Sequence, residues 1–124
     1  MDKNELQVQL QALKQYYLNE RFMAETVQQL HKDLQSSGLA LDEDISADPD
    51  KMLEALKQLV QVLLEESTER LFALLYRIDL SENEVSAFLH PDHKGDPATS
   101  IAQAIMDREL KKVIIRNYLS QQGS

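Results

Sequence analysis

The sequence has no cysteine and no tryptophan, and only 3 glycines and 3 prolines among its 124 residues. Each scarcity excludes something. Without cysteine there is no disulfide framework, no thiolate nucleophile, no iron–sulfur cluster and no cysteine-ligated zinc. Few glycines and prolines leave few turns, so the elements between connections must be long. No run of about 18 apolar residues occurs, the length a helix needs to span a bilayer. The opening residues Met1, Asp2, Lys3, Asn4 and Glu5 place no apolar run behind a basic patch, and no secretory leader is expected. A cysteine-free chain without a leader is expected in the cytoplasm.

Leucine, glutamine, glutamate, alanine and lysine, all good helix formers, make up much of the rest. A chain of this length holds one domain, residues 1–124, and can bury a core without disulfide or metal staples. The 21 acidic residues exceed the 13 basic ones, for a formal charge of −8. Such a field repels phosphate backbones and anionic lipid, so neither nucleic acid nor membrane is expected as a partner. The expected partners are proteins.

Residues 4–36 contain no Gly or Pro and carry Leu6, Leu10, Leu13, Tyr17, Ala24, Val27 and Leu34 at helical spacing. The pattern predicts one long amphipathic helix of roughly 50 Å. Glu20 and His31 interrupt its seam while Phe22, Met23 and Leu30 move the stripe sideways, which admits a bend near Asn19. Tyr16, Tyr17, Phe22 and Met23 are read as core or dimer contacts. Gly38 suits the left-handed residue that closes a helix. A loop over 37–48 follows, pinned by Leu39, Leu41 and Ile45. Asp48 and Pro49 then start a helical segment over 49–78, because an aspartate caps free N–H groups and proline at the first position gives up nothing. Met52, Leu56, Leu59, Val60, Leu63, Leu71, Leu74 and Ile78 hold one face through Ser67. The segment is therefore one helix or two nearly collinear ones, with a break at Ser67 as the alternative.

Ser81 and Glu84 form a capping-box pattern that opens a short helix over 82–90, burying Val85, Phe88 and Leu89 before Pro91 stops it. Asp96 and Pro97 repeat the earlier start and open the last helix, residues 97–120. Its apolar arc (Ile101, Ala102, Ile105, Met106, Leu110, Val113, Ile114, Tyr118) is wider than one seam, so it should touch more than one neighbour. The fold class that follows is all-α, an antiparallel bundle of three long helices and one short helix.

The sharpest chemical lead is the loop from His90 to Asp96, which gathers His90, Asp92, His93 and Asp96 within seven residues. Lys94 puts a positive charge into that group, Asp96 is needed as a helix cap, and His31 is the only other histidine that can approach. A solvated turn is the expected reading, and metal-dependent activity centred on this loop is the alternative. Asp42, Asp44, Ser46, Asp48 and Asp50 alternate as in a calcium loop, but Ala47 stands where the turn glycine belongs and Leu53 replaces the bidentate glutamate. No His-Glu-x-x-His, Walker, dinucleotide or nucleophile-elbow pattern occurs, and the three histidines lack the glutamate three residues before them that di-iron bundles use.

Arg108, Lys111, Lys112 and Arg116 share an arc of about 140° at 100° per residue. They complement the chain's own acidic neighbours in the expected reading, with docking of an acidic partner or a nucleic acid as the alternative. Tyr76 and Arg77 read either as a helix-end charge cap or as an anchor for a partner. No catalytic residue, cofactor site or metal site is assigned. The functional expectation is a non-catalytic protein–protein interaction or regulatory module, with a homodimer through Leu6, Leu10, Leu13 and Tyr17 of the first helix.

Overall fold

The computed structural model describes residues 3–41 and 48–122, and seven helices are found there with no strand among the described residues. They are α1 (Lys3–Gln11), α2 (Leu13–Tyr16), α3 (Glu20–Ser36), α4 (Pro49–Glu66), α5 (Thr68–Ile78), α6 (Glu82–Leu89) and α7 (Pro97–Gln122). The all-α class is as the composition implies. None of these helices is long and apolar enough to cross a membrane.

The architecture is organised around α7, which contacts each of the other six helices. Its arc explains why. Ile101, Ala102, Ile105, Met106, Leu110, Val113 and Ile114 are all buried, so the helix has apolar surface for several neighbours at once. Against it lie Met52, Leu56, Val60 and Leu63 of α4, Leu71, Leu74, Leu75 and Ile78 of α5, Val85 of α6, and Met23, Leu30 and Leu34 of α3. Successive contacts give α3 its direction: Arg21 reaches Asn117, Gln29 meets Arg116, and Asp33 meets Lys112, so α3 runs antiparallel to α7.

The first helix is not continuous over 4–36. It breaks after Gln11 and again before Glu20, where Asn19 takes an extended conformation (φ −94°, ψ 111°) and its side chain accepts the Phe22 N–H at 3.1 Å. Asparagine competes for that N–H better than almost any residue, which turns the expected bend into a new helix start. The break lets α1 and α2 lean on α7 separately from α3. It also accounts for the sideways shift of the apolar stripe, since each piece has its own phase.

Ser67 is likewise a true break. It is extended (φ −163°, ψ 90°), ends α4, and caps α5 by accepting the Arg70 N–H at 3.3 Å. The expected caps at Asp48, Ser81 and Asp96 are all present: Asp48 accepts from Asp50 and Lys51, Ser81 from Glu84, and Asp96 from Thr99. Gly38 sits at φ 71°, and the Leu39 N–H closes α3 on the Leu34 carbonyl at 2.8 Å. Asp79 does the same work at the end of α5 with φ 73°, the one non-glycine residue with positive φ among those described. Leu39 is buried and Leu41 half-buried, whereas Ile45 lies outside the described residues. In α6 only Val85 is fully buried; Leu89 is 39% exposed, because the helix touches the core along a narrow line.

Candidate binding cleft

Folding α1 and α2 back onto α7 leaves a cleft of about 790 Å³ between them, the first turns of α4, and the middle of α7. Its apolar walls come from Leu10 and Leu13 on one side and from Leu53 and Met106 on the other. Three members of the expected dimer seam, Leu10, Leu13 and Tyr17, thus line an intramolecular cleft and are half-buried.

A polar strip crosses the cleft. The Tyr17 hydroxyl donates to Asp107 Oδ1 at 2.5 Å, and Gln103 Nε2 donates to the same oxygen at 3.0 Å. Burial and the Asp107 carboxylate, through both its hydrogen bond and its charge, raise the Tyr17 hydroxyl far above its ordinary 10.0. Tyr17 therefore stays a neutral donor, and Asp107 Oδ1 accepts from two internal partners. No sequence signal announces this contact, since 90 residues separate its ends.

The basic face of α7 has mostly internal partners. Arg108 Nη2 donates to Asp79 Oδ2 at 2.9 Å, Lys112 Nζ to Asp33 Oδ2 at 3.1 Å, and Arg116 Nη1 to Gln29 Oε1 at 2.9 Å. Lys111, half-buried beside the cleft, makes no hydrogen bond or ion pair with any described residue.

Behind the cleft, the α3–α7 contact encloses Glu109, which is fully buried, and Asp33, which is 7% exposed. Lys112 Nζ lies 3.1 Å from each carboxylate. Burial and the neighbouring Asp33 carboxylate push Glu109 up to about 8, against which the Lys112 charge acts only in part. For Asp33, burial acts upward too, but its contacts with Glu109, Gln29 and Lys112 outweigh it and hold the carboxyl below its ordinary value. Both Glu109 oxygens are buried without a hydrogen-bond partner among the described residues, so the enclosure favours a protonated Glu109 beside an ionised Asp33 that Lys112 pairs with. The sequence held one clue to it: Glu109 falls four residues after Ile105 and four before Val113, inside the apolar arc of α7.

The His90 to Asp96 loop is engaged with itself. His90 Nδ1 accepts the Asp92 N–H at 3.1 Å, His93 Nε2 pairs with Ser100 Oγ at 3.0 Å, and the His93 ring stands edge-on to Phe88 at 5.5 Å. Asp96 is taken up by Thr99, whose hydroxyl donates to it at 2.8 Å. Among the described residues, no three His, Asp or Glu side chains converge as metal ligands would, and His31, half-buried on α3, joins no such group. Of the calcium-like series, Asp42, Asp44 and Ser46 lie outside the described residues, while Asp48 serves as the α4 cap. Tyr76 is 86% exposed and Arg77 is exposed beside it. Compared with protein families, curated proteins and solved structures, the chain matches none of them.

Proposed function

We propose that this chain is a non-catalytic cytoplasmic interaction module that takes the apolar face of a helix from a protein partner into the cleft between α1–α2, α4 and α7. The observation that carries the reading is the composition of the cleft. Leucine and methionine walls suit alternate apolar side chains of an amphipathic helix, and the volume of about 790 Å³ accommodates several. The polar strip suits binding: Tyr17 is held protonated as a donor, and Asp107 Oδ1 accepts from it and from Gln103. Lys111, alone among the four cations of its face in lacking an acceptor, supplies one charged contact for the partner. Nucleic acid is left out of the proposal because the other three cations are engaged with α3 residues or Asp79.

Self-association belongs to the same reading. The first helix is divided into α1, α2 and α3, and the large apolar side chains exposed along this stretch are Val8 at 63% and Leu18 at 87%. A second copy seated through these residues is the homodimer form of the proposal.

A photo-crosslinking residue at Leu53, with a second at Val62 as control, tests the cleft in the cell of origin. The expected result is a discrete crosslinked protein at Leu53 that is absent at Val62 and lost when Leu10→Glu and Leu13→Glu charge the opposite wall. Identical products at both positions, or no change on charging the wall, would overturn it. Sedimentation of the free chain at twice its monomer mass, reduced by Leu18→Glu, would make the crosslinked partner a second copy.

A further inference from the structure

A second concavity, separate from the cleft, lies where α5 turns into α6. It encloses about 470 Å³, with Phe72, Leu75, Leu80 and Val85 forming its floor. The chain reverses here through Asp79, whose positive φ is needed for the turn and whose carboxylate is already bound by Arg108 at 2.9 Å. Around the rim stand Tyr76, Glu82 and Glu84. No basic side chain lines this groove. The Glu82 and Glu84 carboxylates form no hydrogen bond or ion pair with any described residue, and no cation lies over the Tyr76 ring among them. The larger cleft differs on this point, because Lys14 and Lys111 line it along with Asp50 and Asp107.

We propose that the groove between α5 and α6 docks a basic segment of a protein partner, one apolar side chain on the floor and its flanking arginine or lysine residues on Glu82, Glu84 and the Tyr76 ring. An apolar floor edged by carboxylates that have no bonded partner among the described residues selects a cation next to a hydrophobe and repels an acidic segment. Tyr76 adds a face over which a guanidinium stacks. Its exposure of 86% is otherwise a poor use of a large aromatic on a helix, and tyrosine is a residue type that concentrates binding energy at interfaces. The assignment stands apart from the α1–α2 cleft and holds whether or not that cleft takes a helix.

The probe is a fluorescently labelled hexapeptide of alternating arginine and leucine, with a second peptide carrying glutamate in place of arginine as its control. Titration at about 150 mM salt, where the diffuse field of the chain is screened beyond roughly 8 Å, is followed by anisotropy and by amide chemical shifts. Saturable binding is expected, with shifts centred on Phe72, Tyr76 and Glu84. Tyr76→Ala and the pair Glu82→Gln with Glu84→Gln should each weaken it by about fivefold or more. Glu65→Gln with Glu66→Gln makes the same change in net charge at the end of α4 and should leave binding unchanged. Leu10→Glu with Leu13→Glu in the other cleft should also leave it unchanged. The proposal is overturned by any of four results: no saturation up to about 1 mM, equal loss in the α4 control pair, equal binding of the glutamate peptide, or shifts centred on Leu10, Leu53 and Met106. Self-association of the free chain that Tyr76→Ala abolishes would also overturn it, by showing that a second copy occupies the groove.

Discussion

The two longest neighbours of α7 both bury apolar side chains on it, but only α3 adds directed polar pairs. From α4 come Met52, Leu56 and Val60, each fully buried, and no hydrogen bond or ion pair joins α4 to α7 among the described residues. From α3 comes a polar ladder: Arg21 to Asn117 at 2.6 Å, Gln29 to Arg116 at 2.9 Å, and Asp33 to Lys112 at 3.1 Å, with Glu109 enclosed behind it. Apolar burial is non-directional and indifferent to pH, so the α4 contact supplies adhesion that tolerates small shifts. Directed pairs are different. Sliding α3 by one turn would separate Asp33 from Lys112 and leave charges buried without partners, so the ladder fixes the register of α3 on α7.

The largest expected effect is on the apolar side. Leu56→Ala should cost about 3 kcal/mol in urea unfolding, the usual loss for a leucine deleted from a filled core, and the loss should stay constant between about pH 5 and pH 8. A pH-dependent loss would mean that α4 shares the polar network. Next comes Lys112→Met, which keeps the aliphatic stem and removes the charge between Asp33 and Glu109. About 2 kcal/mol is expected near neutral pH, below the usual figure for breaking a buried pair because the Lys112 side chain is 22% exposed.

Glu109→Gln should act in the opposite direction. Folding raises Glu109 from its ordinary 4.5 to about 8, so the folded state favours the protonated form. The resulting penalty is absent below about pH 4.5, accumulates as pH rises toward 8, and is constant above that. Asp33 is shifted the other way from 3.8, and its contribution is lost only as pH falls below that value. Together they place maximum stability on the acid side of neutrality. Glutamine has nearly the same shape and does not ionise. At pH about 8 the variant should therefore be more stable than the parent by about 1–2 kcal/mol, with the difference vanishing near pH 5. A variant less stable than the parent at pH 8 would show that the Glu109 carboxylate is favourably paired when ionised.

What the sequence revealed follows the same division. Much that is decided within a turn or two was legible: the caps at Asp48, Ser81 and Asp96, the glycine closure at Gly38, and the broad apolar arc that makes α7 central, though not the closure at Asp79 or the break after Gln11. Ser67 and Asn19 stand in the sequence as interruptions, but whether such a residue kinks a helix or restarts it depends on what the separated pieces can bury. That answer came from the distant surface of α7. The Tyr17 contact with Asp107 was illegible for the same reason, and of the Glu109 enclosure only the place of Glu109 in the apolar arc was legible, because Asp33 comes from far along the chain. The cleft itself exists only because α1 and α2 lean on α7 separately from α3.

The smallest effect expected is at Asn19, and it decides how firmly that leaning is fixed. Replacing the cap with alanine removes the acceptor for the Phe22 N–H and favours continuing the helix through residues 17–19, for an expected loss of about 1 kcal/mol. The Tyr17 hydroxyl opposes that continuation by tying α2 to Asp107 at 2.5 Å. If cap and tie hold the same fold-back, Asn19→Ala and Tyr17→Phe should not be additive, since removing either leaves the other to maintain the bend. The double variant should then lose more than the two single losses together, by about 0.5–1 kcal/mol. Because Tyr17 remains protonated throughout, none of these losses should change between about pH 5 and pH 8, in contrast to the Glu109 effect. Additive losses would mean that the cap and the tie act independently, and that burial of α1 and α2 on α7 sets the bend by itself.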